Sequence, residues 1–79
     1  MNNFKETSDL GLISGLMSLG YPPFERRREG QRVIFVFEND ENVEKLWEDY
    51  YNNRLSVDAQ TFHTTQKSVK MSIYNSERE

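Results

Sequence analysis

The chain has no cysteine, one histidine, two prolines and no apolar run longer than the five residues Val33–Phe37. Without cysteine it has neither disulfides nor thiolate metal sites to stiffen it, which fits a reducing compartment. A run of five is far below the roughly 18 apolar residues of a membrane span. Met1-Asn-Asn-Phe-Lys-Glu6 lacks the apolar core of a signal peptide. The expectation is a soluble, cytoplasmic protein folded as a single domain over residues 1–79, with residues 76–79 as a frayed polar tail.

A chain of 79 residues buries only about 60% of its unfolded surface, so its core has little to spare. A homodimer is a natural supplement. Net charge is −3, but the charge is unevenly placed. Residues 25–32 carry four arginines against two glutamates, a net of +2. Residues 38–49 carry six carboxylates against Lys45, a net of −5. A basic patch is followed at once by an acidic one, which means oriented electrostatics or a dimer in which the two patches meet.

The basic patch lies in the most legible element. Phe24–Glu38 reads as a β-hairpin with an arginine-rich first strand, a Glu29-Gly30 turn and an apolar second strand. Val33, Phe35 and Phe37 lie on one face of that second strand, and Ile34 and Val36 on the other, so it is central or covered on both sides. The first strand cannot bury both faces and is expected at an edge, where charge discourages aggregation. Phe4-Lys5-Glu6 is a candidate further strand.

Thr7-Ser8-Asp9 starts a first helix that runs to about Leu19, with Ser or Thr as cap and Asp9 in the first turn. Gly11 and Gly15 lie on one face of it, which a close backbone neighbour would justify. Ser14 and Ser18 are expected on its less buried side. Gly20 reads as a left-handed cap, and Pro22-Pro23 prevents continuation. Asn39-Asp40 caps a second helix whose Val43, Leu46, Trp47, Tyr50 and Tyr51 follow helical spacing. Arg54–Val57 is a connector or a short added strand. Asp58 caps a third helix with Ala59, Phe62, Val69 and Ile73 on its apolar face, interrupted by Gln66. The order (β)αββαα predicts a small α+β domain, with helices packed on one face of a two- or three-stranded antiparallel sheet.

No constellation points to catalysis or a cofactor. His63 has no partner set for a metal, no serine sits in a nucleophile elbow, and the glycines do not form a phosphate loop. The expectation is a non-enzymatic protein without cofactor or metal. Two features point to binding. Arg26, Arg27, Arg28 and Arg32 lie on the hairpin, and guanidinium groups suit phosphates and carboxylates. His63, Lys67, Lys70 and Tyr74 recur as a column beside the apolar face of the third helix. Should the two groups converge, they form a basic groove for an anionic ligand, a nucleic acid or an acidic protein surface. Alternatively they are solubilising charges whose stems cover the rim of the core. Tyr51 at the edge of the second helix, with Glu41, Glu44 and Glu48 on its acidic face, is a candidate interface.

The chain resembles an uncharacterised family of small domains from bacteriophages, prophages and their hosts. The resemblance covers about residues 4–75. It rests on Phe4 with Thr7-Ser8-Asp9-Leu10, Leu16, Gly20-Tyr21, Val33–Glu38, Tyr50-Tyr51, Leu55-Ser56-Val57-Asp58, Phe62, Lys70 and Ile73-Tyr74. Members of that family favour alanine-like residues where this chain has Gly11 and Gly15, and a Leu-Lys pair where it has Val69-Lys70. The pattern is of structural residues, so it implies a fold and a mobile-element setting without an activity. The resulting expectation is an accessory protein that binds a host or phage protein complex, with inhibition of a host defence complex as its role. The alternatives are a nucleic-acid-binding protein that uses the arginine hairpin, and a nucleotide or small-anion sponge at a dimer interface.

Overall fold

The computed structural model of this chain describes residues 3–77, with side chains for residues 3–75. The elements are β1 (Phe4–Thr7), α1 (Leu10–Ser18), β2 (Glu25–Glu29), β3 (Arg32–Glu38), α2 (Glu41–Tyr51) and α3 (Ala59–Glu77). One antiparallel sheet has the strand order β1-β3-β2, so the apolar strand is central and the arginine strand is an edge. The expected α+β domain is therefore present, with three strands. Arg54–Val57 forms no strand and serves as a connector. The backbone of α3 is helical to Glu77, two residues into the expected frayed tail of 76–79, and the last two lie outside the described residues.

The register fixes which side chains share a face. Arg27 pairs with Ile34, Arg26 with Phe35 and Arg28 with Val33. On the other side of β3, Glu6 pairs with Val36 and Lys5 with Phe37. Val33, Phe35 and Phe37 join Leu12, Ile13, Leu16, Val43 and Val69 in the buried core, so the helices cover that face. Ile34 and Val36 face away from the helices, yet both are buried. Burial on both faces suits the central strand of a sheet and explains the unbroken apolar run.

The hairpin turn is one residue later than the sequence suggests. Glu29 pairs with Arg32, which leaves Gly30-Gln31 as the loop. Gly30 adopts φ 62° there, the first position of a two-residue turn that needs a left-handed residue.

The helix starts use aspartates. The Asp9 carboxylate accepts from Leu12 N, so Asp9 is the cap of α1 and not a first-turn residue, while Thr7 Oγ1 accepts from Asp9 N. Asp40 accepts from Val43 N at 2.8 Å, and Asp58 from Thr61 N at 2.9 Å. The Thr61 N–H, then the Thr61 hydroxyl, hold the Asp58 carboxyl below its ordinary value. Gly20 takes φ 94° just past the end of α1, as a left-handed cap requires.

Two expectations about side-chain placement fail for packing reasons. Ser14 is fully buried, although it was expected on the less buried side of α1. α1 is so deeply enclosed, against both α2 and α3, that it has almost no wet face. Ser18 instead donates to Ser14 O at 2.6 Å within its own helix. Ala59 is exposed, because it lies at the first turn of α3, before the helix reaches the core.

Candidate functional site

The four arginines of the hairpin do not form one patch. A strand alternates its side chains, so Arg27 and Arg32 lie on the face away from the helices, and Arg26 and Arg28 on the helix side. All four are exposed. Arg27 is already engaged: its guanidinium crosses β3 to meet Glu6 on β1, and its Nε donates to Glu29 at 2.9 Å. Those two carboxylates, Glu6 first, raise its already high pKa further.

Arg27 thus has a structural task that the sequence did not reveal. It sits opposite Ile34 and reaches a residue opposite Val36, so its stem lies over the two apolar side chains that no helix covers. Phe4 and Phe24, both exposed, pack on each other with ring centroids 4.9 Å apart. Exposed ion pairs contribute little in water, so the cover should come mainly from the stem. Arg27→Met should therefore retain more thermal stability than Arg27→Ala, and Arg27→Ala should bind more of a hydrophobic dye. Equal losses in the two variants would place the effect in the ion pairs instead.

Arg26 and Arg28 have no side-chain hydrogen bond or ion pair among the described residues. They share the helix side of the sheet with α3, whose Val69 is in the core. On α3, His63, Lys67, Lys70 and Tyr74 are all exposed. Lys70, Met71, Tyr74 and Asn75 line a shallow depression of about 250 Å³. Met71, which the sequence reading passed over, is 64% exposed there and Tyr74 is 67% exposed. No hydrogen bond or ion pair joins this column to Arg26 or Arg28 among the described residues. The arginine pair and α3 lie on the same side of the sheet.

The candidate residues of α2 are also at the surface. Glu41, Glu44 and Glu48 are exposed, with the first two in the first turn, where they complement the helix dipole. Tyr51 is 58% exposed and meets Tyr50 edge-on at 5.1 Å. Tyr50 is different. Its hydroxyl donates to the Asp9 carboxylate at 2.9 Å, linking the end of α2 to the cap of α1. Burial, and then the hydrogen bond to Asp9, raise its pKa.

Gly11 makes room for that link. A Cβ at Gly11 would run into the Tyr50 hydroxyl, and one at Gly15 would meet Leu55 Cδ2 at 2.8 Å. The two glycines therefore accommodate side chains from α2 and from the α2–α3 connector, not the close backbone neighbour that their spacing suggested.

A further pocket of about 410 Å³ lies where Tyr21 and Phe24 meet Phe37, Glu38 and Asp40. None of the basic candidates lines it. Among the described residues, no group of three or more metal-ligating side chains gathers, and no helix is long and apolar enough to cross a membrane.

This three-stranded arrangement, with its Asp-capped helices, accounts for the pattern of structural residues along the chain. The model of one family, a domain of unknown function designated DUF5659, matches residues 1–75. The chain belongs to the DUF5659 family. No curated protein and no solved structure matches it. Membership in DUF5659 brings no assigned chemistry, so the functional argument rests on the exposed residues described above.

Proposed function

We propose that this DUF5659 protein acts by binding an acidic surface of a macromolecular partner, with the helix side of its sheet as the contact. The observation that carries this reading is the pair Arg26 and Arg28, without a partner among the described residues and on the same side as α3. The exposed Tyr74 and Met71, beside Lys70, supply the apolar component that a protein contact needs and a phosphate backbone does not. The setting we propose is a phage or other mobile element, with a host defence complex as the partner that is inhibited. Small size and the family resemblance support that setting.

A protein partner is favoured over nucleic acid because Arg27 is committed to Glu6 and Glu29 and the chain is net acidic at −3. Sequence-independent nucleic-acid binding draws its strength from many phosphate contacts. Affinity purification from host lysate tests the proposal. The expected result is one protein recovered at near-equal stoichiometry, with its retention falling as salt rises. Recovery of nucleic acid alone, or of no stoichiometric partner, would count against it.

A further inference from the structure

β2 is a free sheet edge, and the turn determines which of its backbone groups are available. Glu29 and Arg32 flank a two-residue loop, so they form a hydrogen-bonded pair. Antiparallel pairs alternate, which makes Arg27–Ile34 and Glu25–Val36 hydrogen-bonded pairs as well. Phe24 N also donates to Val36 O at 2.7 Å, extending the bonding past the strand's start. The N–H and C=O groups of Arg26 and Arg28 therefore point outward, along the open edge. Of the three arginines of β2, these are the two whose guanidinium groups lack a partner among the described residues.

We propose that the β2 edge receives an extended acidic segment of a protein partner as a fourth strand. The proposal rests on the partner-binding reading and specifies its contact. In an antiparallel addition, residues opposite Arg26 and Arg28 bond to their free backbone groups and share their face. Carboxylates at two alternate positions then meet the two arginines. The residue between them faces Arg27, whose charge Glu6 and Glu29 already satisfy, so a neutral or apolar side chain fits there. The segment recognised is acidic–apolar–acidic in an extended conformation.

The edge selects against other occupants. A symmetric antiparallel pairing of two β2 strands centred on Arg27 sets Arg27 against Arg27 and Arg26 against Arg28, which is destabilising. A polyanion gains little, because β2 carries three arginines against two glutamates, a net of only +1. Two unengaged guanidinium groups suit two carboxylates.

Nuclear magnetic resonance titration of the isotope-labelled full chain tests this, with the end-capped peptide Thr-Thr-Glu-Val-Glu-Thr-Thr as the probe. The same peptide N-methylated at both glutamates keeps the charge and removes the strand-forming N–H groups. The first peptide should shift the amide signals of Arg26 and Arg28 and slow their hydrogen exchange. The N-methylated peptide, and one with glutamine for glutamate, should each bind at least about tenfold more weakly. Arg26→Gln with Arg28→Gln should remove the response while leaving the folded spectrum intact. Equal binding of the N-methylated peptide would overturn strand addition and leave an acidic contact standing. No response to any peptide would overturn it too, while the partner-binding reading is decided separately by affinity purification. Stronger perturbation of the same amides by oligothymidylate would make this edge a nucleic-acid contact. A dimer in sedimentation that the double variant abolishes would assign the edge to a second copy. Either result would overturn the proposal.

Discussion

Replacing Phe37 by alanine should lower the thermal midpoint by roughly 12–40 °C, enough to leave much of the chain unfolded at ambient temperature. Phe37 is 1% exposed and lies on the helix-covered face of the central strand. It meets Trp47 edge-on with ring centroids 6.4 Å apart. Truncating a buried phenylalanine costs about 3–5 kcal/mol. Domains of this length have roughly 4–12 kcal/mol of stability in total, so one side chain decides the outcome. Phe24→Ala is the control. It removes the same ring from a site that is 56% exposed, and it should shift the midpoint by only a few degrees, on the order of 1 kcal/mol. Thermal unfolding followed by circular dichroism distinguishes the two. Similar shifts for Phe37→Ala and Phe24→Ala would mean that the core is not organised around β3.

The second large effect is a reversal of sign. Gly11→Ala should destabilise the protein by about 1–3 kcal/mol, although alanine is the better helix former by about 1 kcal/mol. The added methyl group occupies the place of the Tyr50 hydroxyl and displaces it from Asp9. In a Tyr50→Phe background that hydroxyl is gone, and the nearest remaining ring atom is 3.3 Å from the new Cβ. A shift of a few tenths of an ångström accommodates it. Gly11→Ala should then be neutral or stabilising by up to about 1 kcal/mol. Tyr50→Phe alone should cost about 1–2 kcal/mol, the value of a hydrogen bond to a carboxylate at a half-buried site. A double-mutant cycle in denaturant measures the coupling. Additive effects would show that Gly11 is not there for Tyr50.

That pair also marks how far the sequence can be read. The central strand was legible because Val33–Phe37 is apolar at every position, and the starts of α2 and α3 because an aspartate precedes each periodic segment, whereas at α1 the cap is Asp9 and not the expected Ser or Thr. Local spacing finds such features. The bond from Tyr50 to Asp9 spans 41 positions, and no periodicity reports it. Gly11 and Gly15 signalled a close approach, but the spacing could not say that side chains make it. Ser14 was misplaced because a serine reads as polar, whereas the enclosure of α1 by two other helices buries its whole circumference.

The arginines show the same division. Exposure of β2 followed from its composition. The split of Arg26 and Arg28 from Arg27 and Arg32 follows from strand alternation and was available in principle once the hairpin was drawn. The engagement of Arg27 by Glu6 was not, because it needs β1 on the far side of β3. This long-range pairing changes the candidate site most. It turns a run of arginines into a structural residue and two without a partner among the described residues.

Cross-linking and hydrogen-exchange mapping of the purified complex with the recovered partner locates the contact. Protection is expected at Arg26 and Arg28, accompanied by the exposed Lys70, Met71 and Tyr74 of α3, with acidic residues on the partner's side of the cross-links. Protection confined to the opposite sheet face, at Phe4, Glu6 and Arg32, would contradict it.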